Sequence, residues 1–575
     1  MVIVTLKKWL IPDKEEFLST NTYFWLTLSL FFAILYGCLS LKEAFSSPFV
    51  IQDDARQHVF WMQRFLDPAL FPNDLIADYF QSVAPVGYKK VYQLANVIGI
   101  NPLIFSKILP LILGIITTVF GFYFCLQIFP IPFASFASMV ILNQSLWMTD
   151  DLASGTPRAF IYPLLLGFLY MLARKYLFGC IFFLVLQGLF YPQAIFLSIG
   201  TLALQLLIVT RKGFRISLNY GSGNFFIICF ITAIFVLLPY ALKTSEYGPV
   251  ITATAARLLP EFQAGGRSSF FVDDFWKYWI SGDRSGIFYK TILTPFTLVT
   301  ALFLPFICLF PNQFALVKAW RSQGIVLLHL TVASVAMFFL AHLALYRLHL
   351  PSRYTEHSFR IILAILAGIS LVILVDYFLK WAIGKAFWQK IVSLLAVIVI
   401  ISSLIGYPLF MESFLDGNYI TSDLGELYNF ISQQPKNIVI ASTSPEAANI
   451  PTFAGRSVLV SMEHAIPYHT GYYQEIRQRY KDIIQAQYSP KISDIKRVIQ
   501  KYNISFWLLD DKTFNEKYLA KNRFLNQFQP ETKQAFETFQ IGKKSALLKL
   551  KENCTSFSQQ NYLLVDSECL MNSDK

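Results

Sequence analysis

Charged side chains are scarce in this sequence of 575 residues. Asp, Glu, Lys and Arg make up 15% of it, whereas about 25% is usual for a soluble protein. Hydrophobic residues account for 55%, and the mean hydropathy is +0.48. A water-soluble fold of this length needs more polar surface than such a composition supplies. The composition therefore predicts an integral membrane protein.

The sequence also lacks the short motifs of several enzyme classes. It has no Walker loop, dinucleotide fingerprint, His-x-x-x-His pair or Gly-x-Ser-x-Gly elbow. This argues against an ABC-type ATPase, a zincin protease and an α/β hydrolase. Cysteines are few: five of the seven fall in apolar segments without metal-ligand spacing and are interpreted as packing residues. Cys554 and Cys569 are able to form one disulfide if their segment is exported.

Apolar stretches are abundant. A membrane-spanning helix needs about 20 apolar residues, and the pattern predicts eleven spans, some of them short. Pro192 interrupts the stretch 176–210, so that one kinked helix is an alternative to two spans there. The predicted spans are 23–42, 103–128, 133–149, 159–173, 176–190, 193–210, 224–241, 291–310, 324–345, 359–379 and 391–409.

Basic residues in alternate short loops predict the orientation. Positively charged loops stay in the cytoplasm, which also accounts for the net charge of +12 without a nucleic-acid partner. The residues concerned are Lys7, Lys8, Lys14, Arg174, Lys175, Arg211, Lys212, Arg215, Lys318, Arg321, Lys380, Lys385 and Lys390. The N-terminus is then cytoplasmic, and the segments 43–102, 242–290 and 410–575 lie outside. Only the loop 346–360, which is basic yet outside, breaks the rule.

The last outer segment differs from the rest in being polar with mixed charges. Residues 437–441, 457–460 and 504–509 read as buried strands, and 493–502 reads as an amphipathic helix. We therefore predict a polytopic α-helical membrane domain over 1–409 and an extracytoplasmic soluble α/β domain over 410–575, in the plasma (inner) membrane of a cell envelope.

The first candidate site follows the first span. Asp53 and Asp54 are followed by Arg56 and His58, and in a helix Asp54 and His58 share a face. The structural alternative is that the two acids only stabilise a helix N-terminus, where the positive end of the helix dipole favours negative charge.

The second candidate site lies between the third and fourth spans. Asp150 and Asp151 precede a turn-forming Ser-Gly-Thr-Pro run and then Arg158. A simple turn explains Gly155 and Pro157, but it does not explain an arginine at the mouth of a span.

The third candidate site is the basic loop that breaks the orientation rule. Charge at a membrane edge is costly without partners. Snorkelling to headgroups is one explanation, and binding of a phosphate by the arginine fork is the other. Its members are Arg347, Arg353, Glu356, His357 and Arg360. A fourth segment, 260–269, is either a lid or an ordinary surface loop.

An acidic pair in the first large outer loop, soon after the first span, resembles the GT-C superfamily of polyprenyl-phosphate-sugar glycosyltransferases. The resemblance covers the whole chain in architecture. In sequence it is confined to Asp53-Asp54, the Asp150-Asp151 loop and Pro351-Ser352-Arg353-Tyr354, and the stretch 451–480 is similar to exported domains of bacterial members. It implies a membrane glycosyltransferase with a C-terminal exported domain.

The resemblance further implies a polyprenyl-phosphate-linked sugar as donor and a lipid, glycan or protein hydroxyl as acceptor. Asp53 is then the first choice for the base and Asp54 the second, with inversion at the anomeric carbon. The remaining candidates bind substrate or lipid phosphate: Arg56, His58, Asp150, Asp151, Arg158, Arg347, Arg353, Glu356, His357 and Arg360. No cofactor is certain, and a divalent metal at Asp53, Asp54, Asp150 or Asp151 stays open.

Two other classes of function compete with the transferase. A transporter or lipid flippase usually has paired halves and a site at the midplane of the membrane. Here no similarity between the halves is evident, and the titratable residues cluster at one face. A non-catalytic membrane assembly protein is the third possibility, and it leaves the basic loop without a purpose.

Overall fold

The computed structural model describes residues 2–11, 19–210, 213–216 and 220–573. Three of the predicted cytoplasmic cations, Lys14, Arg211 and Lys212, lie outside these residues. The helices of the apolar part are Val2–Leu10, Thr20–Ala44, Pro102–Ile128, Pro132–Trp147, Ile161–Ala173, Leu177–Phe190, Gln193–Leu204, Tyr220–Leu242, Leu304–Cys308, Ile325–Leu343, Ser352–Ala382 and Phe387–Gly406.

Each predicted span overlaps a helix, but not every helix has the length of a span. Six helical stretches of the described residues are long and apolar enough to cross a membrane, and the remaining apolar helices are shorter. These are Thr20–Ala44, Pro102–Ile128, Gly223–Leu242, Ser322–Leu343, Ser352–Ala382 and Phe387–Phe410. The count of eleven spans and the cytoplasmic N-terminus therefore stay predictions.

The stretch 176–210 agrees with the two predicted spans and not with the alternative, but its end differs from the prediction. The chain between Leu177 and Leu204 forms two helices rather than one kinked helix, broken at Tyr191-Pro192 because proline cannot continue the hydrogen-bond ladder. The second of these helices ends at Leu204, and Leu207–Thr210 then pairs antiparallel with Gly213–Ile216. The predicted span 193–210 is thus too long at its end.

Two helices form the buried centre of the apolar part. Pro132–Trp147 is buried along its whole length, and it packs against Ser352–Ala382. The two backbones approach closely at Gly368, where a Cβ atom would lie 2.4 Å from the Ser138 backbone nitrogen. Only glycine permits this approach. The contact fixes the helix that carries Arg353, Glu356, His357 and Arg360.

The segments between spans contain further helices, which are Ala55–His58, Leu75–Val83, Val86–Val97, Asp150–Ala153 and Ala253–Arg257. The first long segment is joined to the C-terminal one by an antiparallel pair, Val50–Gln52 with Tyr419–Thr421. The second is joined to it by contacts of Glu261 and Arg267. All three long segments therefore lie on one face of the helical bundle.

The C-terminal segment contains a five-stranded mixed sheet, and three of its strands overlap the strand-like runs of the sequence. The strands follow the order Ser457–Val458, Val439–Ala441, Phe506–Asp510, Tyr562–Asp566 and Thr555–Gln559. The first three are parallel, and the last two are antiparallel to their neighbours. Its helices are Gly425–Gln433, Ile450–Phe453, Thr470–Tyr488, Ile492–Tyr502, Glu516–Lys521, Glu531–Gln540, Ala546–Leu550 and Ser567–Asn572. A disulfide joins Cys554 and Cys569, whose Cα atoms are 5.5 Å apart.

Candidate active site

Asp53 and Asp54 are placed by the strand pair between the first loop and the C-terminal segment. The backbone N–H of Asp53 donates to the carbonyl of Asn418 over 3.1 Å, and the Asn418 amide donates to the Asp53 carboxylate over 3.2 Å. The helix Ala55–His58 begins directly afterwards, as the sequence predicts. The Asp54 side chain makes no capping hydrogen bond to it, so a helix cap does not explain this acid.

Asp150 and Asp151 begin the short helix Asp150–Ala153, and a turn follows it. Gly155 adopts a φ of +60°, and a Cβ atom there would lie 2.6 Å from the Ser106 carbonyl oxygen. The turn that the sequence predicts is therefore real and needs glycine. It brings the chain back so that Arg158, three residues before the start of the helix Ile161–Ala173, faces the two acids.

Arg158 joins the two acidic pairs. Its guanidinium contacts the carboxylate of Asp54, lies 3.1 Å from Oδ1 of Asp151, and lies 3.5 Å from Oδ2 of Asp150. Its side chain is 16% exposed, so that water screens these charges only weakly. Two loops that are about a hundred residues apart in sequence thus converge on one cation.

The three carboxyls differ in their electrostatic environment. Burial opposes ionisation of Asp54 and Asp151, but the positive charge of Arg158 outweighs burial and lowers the pKa of both carboxyls. His58 adds to this effect at Asp54, and His357 adds to it at Asp151. Burial and the neighbouring carboxylates instead raise the pKa of Asp150, against the influence of Arg158. Of these three acids, Asp150 therefore binds a proton most readily.

Asp151 also connects this cluster to the central helix Ser352–Ala382. The Tyr162 hydroxyl donates to Oδ2 of Asp151 over 2.9 Å and lies 3.1 Å from Nδ1 of His357. Nδ1 of His357 is 3.5 Å from the same carboxylate oxygen. All three side chains are buried, so that this arrangement has a fixed geometry.

Arg353 and Arg360 bracket Glu356 on one face of the central helix. Nη1 of Arg353 donates to Glu356 over 2.6 Å, and Nη2 of Arg360 is 3.6 Å from the other oxygen. Arg353 is 19% exposed and Arg360 fully buried. Arg360 donates to Ser145 over 3.1 Å and lies over the ring of Tyr289 at 4.2 Å. Arg353 is therefore the more accessible of the two.

A second charged cluster adjoins Asp53. Arg56 contacts the carboxylate of Asp53 and lies 3.5 Å from that of Glu463. Arg267, from the second long loop, lies 2.9 Å from the other oxygen of Glu463, and Gln57 donates to that oxygen. Burial raises the pKa of Glu463, although Arg267 opposes it. The C-terminal segment thus contributes a carboxylate beside the first loop.

Two of the remaining predicted residues have different surroundings. His58 lies against the ring of Phe80, with 5.8 Å between ring centroids, and burial lowers the pKa of its imidazole although Asp54 opposes this. Arg347 is exposed and makes no ion pair among the described residues.

The segment 260–269 is fixed rather than free. Glu261 is buried, and its carboxylate accepts hydrogen bonds from Tyr473 over 2.7 Å and from Arg477 over 2.8 Å. The segment is therefore tied to the C-terminal part of the chain, which favours the surface-loop alternative over a lid.

Three residues of the site were not selected from the sequence. Tyr162 follows Arg158 by four residues, and this spacing was a usable signal. Arg267 belongs to the loop 260–269, but its sequence gave no reason to separate it from other surface arginines. Glu463 lies in a distant part of the chain, and only the tertiary fold brings it to Arg56.

Four carboxylates lie close enough together to be compared with a metal site. Oxygen ligands of this kind suit a hard divalent cation. In the described part of the chain, however, no group of three or more His, Cys, Asp or Glu side chains is arranged to hold a metal ion. The guanidinium of Arg158 lies among Asp54, Asp150 and Asp151, and that of Arg56 lies against Asp53. The donor set as arranged does not fit a metal.

The chain matches no known protein-family profile, and no curated protein matches it in sequence. Solved structures do match its fold. The oligosaccharyltransferase of Archaeoglobus fulgidus in the apo form superposes with a TM-score of 0.57 at 11% identity, over 90% of this chain and 73% of that one.

Two further structures of the same archaeal enzyme match in a similar way. AglB in complex with an inhibitory peptide and a dolichol-phosphate gives a TM-score of 0.55 at 11% identity, over 90% and 73% of the chains. A complex with Zn and sulfate gives 0.50 at 10% identity, over 87% and 70%. At this level of identity the matches show a shared fold. The six long apolar helices of the described residues fit a polytopic membrane protein with that fold.

Proposed function

We propose that this protein is a membrane glycosyltransferase that moves a sugar from a polyprenyl-phosphate donor to an acceptor hydroxyl at the outer face of the membrane. The observation that carries the proposal is the convergence of Asp54, Asp150 and Asp151 on Arg158, next to the Arg353–Glu356 pair, on a GT-C fold. Acids that can take a proton and cations that can stabilise a phosphate are the two parts that this reaction requires.

The leaving group in this proposal is a lipid phosphate. Negative charge develops on it as the glycosidic bond breaks, and preorganised cations stabilise that charge. Arg353 is the first choice because it is partly exposed at the start of the central helix. Burial, followed by the cations Arg353 and Arg158, lowers the pKa of the neighbouring His349 to about 3, so the imidazole stays neutral and the positive charge of the site lies on the arginines. Arg360, one helical turn further along, lies 3.6 Å from the Glu356 carboxylate and helps to hold it in place.

The acceptor hydroxyl loses its proton as it attacks the anomeric carbon, and a carboxylate takes the proton. The sequence favours Asp53. Geometry favours Asp54 over Asp53, because the Asp54 carboxylate contacts Arg158 on the side that faces Asp150 and Asp151. Arg158 also keeps this carboxylate ionised against burial, as a proton acceptor requires. Asp53 then orients the acceptor from the Arg56 side. A single displacement of this kind inverts the anomeric carbon.

The experiment is a transfer assay on the purified full chain in lipid nanodiscs. Radiolabelled polyprenyl-phosphate sugars are offered one at a time with membrane glycan, lipid and peptide acceptors, and release of polyprenyl phosphate is followed. We expect turnover with at least one donor and its loss when Asp53 and Asp54 are both changed to Asn. Full activity of that double variant would overturn the assignment. Lack of binding of any polyprenyl phosphate, measured by thermal shift, would overturn the function.

A further inference from the structure

The second long loop carries an exposed aromatic tip that the proposed reaction does not use. Phe275 is 63% exposed and Trp276 is 71% exposed. They stand between the exposed charges of Asp274 and Lys277, at the start of the single turn Lys277–Ser281. Two adjacent large aromatic side chains held in water cost free energy, and such a rimmed apolar patch marks a binding surface.

The tip is fixed to the end of a long apolar helix. The Trp279 ring lies 4.6 Å from the His342 ring, and the Tyr278 hydroxyl lies 3.4 Å from Nδ1 of His342. Nε2 of His342 is 3.0 Å from the carbonyl oxygen of Ser285. His342 is the penultimate residue of the helix Ile325–Leu343. The turn is therefore clamped at the level where that helix ends.

The same helix end presents an apolar surface next to the tip. Phe339, Leu340 and Leu343 are exposed by 49%, 48% and 85%, and the helix is long and apolar enough to cross a membrane. These side chains face lipid in an integral membrane protein. The tip continues this surface, because Trp279 lies 6.3 Å from the Phe339 ring.

We propose that Phe275 and Trp276 insert into the headgroup region of the lipid bilayer and anchor the second long loop to the membrane surface. The occupant of this surface is the phospholipid bilayer itself, since the tip is continuous with the lipid-facing side of a spanning helix. Tryptophan and other amphipathic aromatic side chains are enriched at that depth of the bilayer. A partner protein and bulk water are the competing occupants, which the test separates.

The anchor is coupled to the candidate active site by hydrogen bonds. The Ser352 hydroxyl donates to the Asp283 carbonyl over 2.9 Å, and the Ser352 N–H donates to the Arg284 carbonyl over 3.3 Å. Ser352 is the first residue of the helix that carries Arg353. The anchored loop thus holds the start of this helix close to the membrane surface. This consequence rests on the proposed function, whereas the anchoring itself does not.

The test is depth-dependent fluorescence quenching on the full chain in phospholipid nanodiscs. The exposed Cys38 and Cys308 are first changed to Ala. Trp276→Cys then receives an environment-sensitive fluorophore, and Phe275→Cys supplies a second position. Ile541, which is 66% exposed in the C-terminal segment, is changed to Cys as the matched control. Gel filtration selects folded protein for each variant.

We expect the probe at 276 to lose most of its emission to phospholipids spin-labelled near the headgroup and to be protected from iodide. The control at 541 should show the opposite pattern. Quenching of position 276 by iodide and not by lipid would overturn the proposal in favour of water. Protection from both quenchers would overturn the proposal and indicate that protein, not lipid, covers position 276. Neither readout depends on activity, so a failed transfer assay leaves the result interpretable.

Discussion

Nη1 of Arg158 lies 3.1 Å from Oδ1 of Asp151, while the other arm of the same guanidinium contacts Asp54. Arg158 thus connects the Asp53-Asp54 loop to the Asp150-Asp151 loop. The sequence predicted that these two loops lie close together. A single cation among three carboxylates leaves an excess of negative charge, and His357 and Arg353 reduce it from the side of the central helix. The geometry of the site therefore depends on Arg158 first.

Arg158→Lys is expected to lower transfer activity strongly while the protein still folds. Lysine keeps the positive charge but loses the planar fork that reaches Asp54 and Asp151 together. Steady-state transfer and gel filtration check this. Arg174→Lys is the control, because Arg174 is exposed. Equal activity of the wild type and the Arg158→Lys variant would show that charge alone suffices.

Asp54→Asn is expected to reduce the turnover rate by about 10²- to 10⁴-fold, the usual contribution of a general base. Asp53→Asn is expected to act mainly on the KM of the acceptor, because Asp53 is held on the Arg56 side. Asp273→Asn, an exposed acid of the second long loop, serves as the control. If the two effects are exchanged, Asp53 is the base and the preference drawn from the sequence is right.

Arg353→Ala is expected to raise the KM of the donor by about 10-fold or more, the value of a hydrogen bond to a charged group, with a smaller effect on the acceptor. The thermal shift that polyprenyl phosphate produces should shrink in parallel. Arg174→Ala is the control, since Arg174 is exposed and is not a candidate for phosphate binding. Arg347→Ala tests the exposed arginine that precedes the helix. A larger loss of donor binding from Arg347→Ala would move the phosphate site to the loop surface.

A chelator is expected to leave the transfer rate unchanged, because Arg158 occupies the place among the carboxylates that a divalent cation needs. The assay is run after dialysis against EDTA and again with Mg²⁺ or Mn²⁺ restored. Loss of activity that a metal ion restores would show that the carboxylates rearrange around a metal, and it would contradict this prediction.

Stability is expected to fall as the pH falls below about 6.5, the ordinary pKa of histidine. His464 is buried between Ser461 and the carbonyl of Arg56, and burial lowers its pKa to about 3. Between these two values the unfolded chain binds one more proton than the folded chain, so the free energy of unfolding rises with pH there, by at most about 1.4 kcal/mol per unit.

Thermal unfolding of the wild type and of His464→Gln at pH 7 and pH 5 measures this. We expect the difference between the two pH values to be smaller in the variant. An unchanged difference would mean that other groups, among them Glu463, cause the loss of stability between pH 7 and pH 5.

The sequence by itself determined the class of protein and the location of most charged residues of the site. Apolar runs identify helices because a bilayer needs a fixed length of them. Short apolar runs in a polar segment identified three strands of the C-terminal sheet. The sequence also singled out Asp54, Asp151, Arg158 and Arg353, since charge at the end of an apolar helix is costly without a purpose.

Only the tertiary structure decided which of these residues meet. Contact between Arg158 and Asp54 depends on the packing of distant helices and on a strand pair between residues 50–52 and 419–421. Glu463 reaches Arg56 through the same pairing, and its local sequence carries no sign of it. The physical reason is that helix and strand periodicity is a local property, whereas the partner of a buried charge is set by the closure of loops hundreds of residues long.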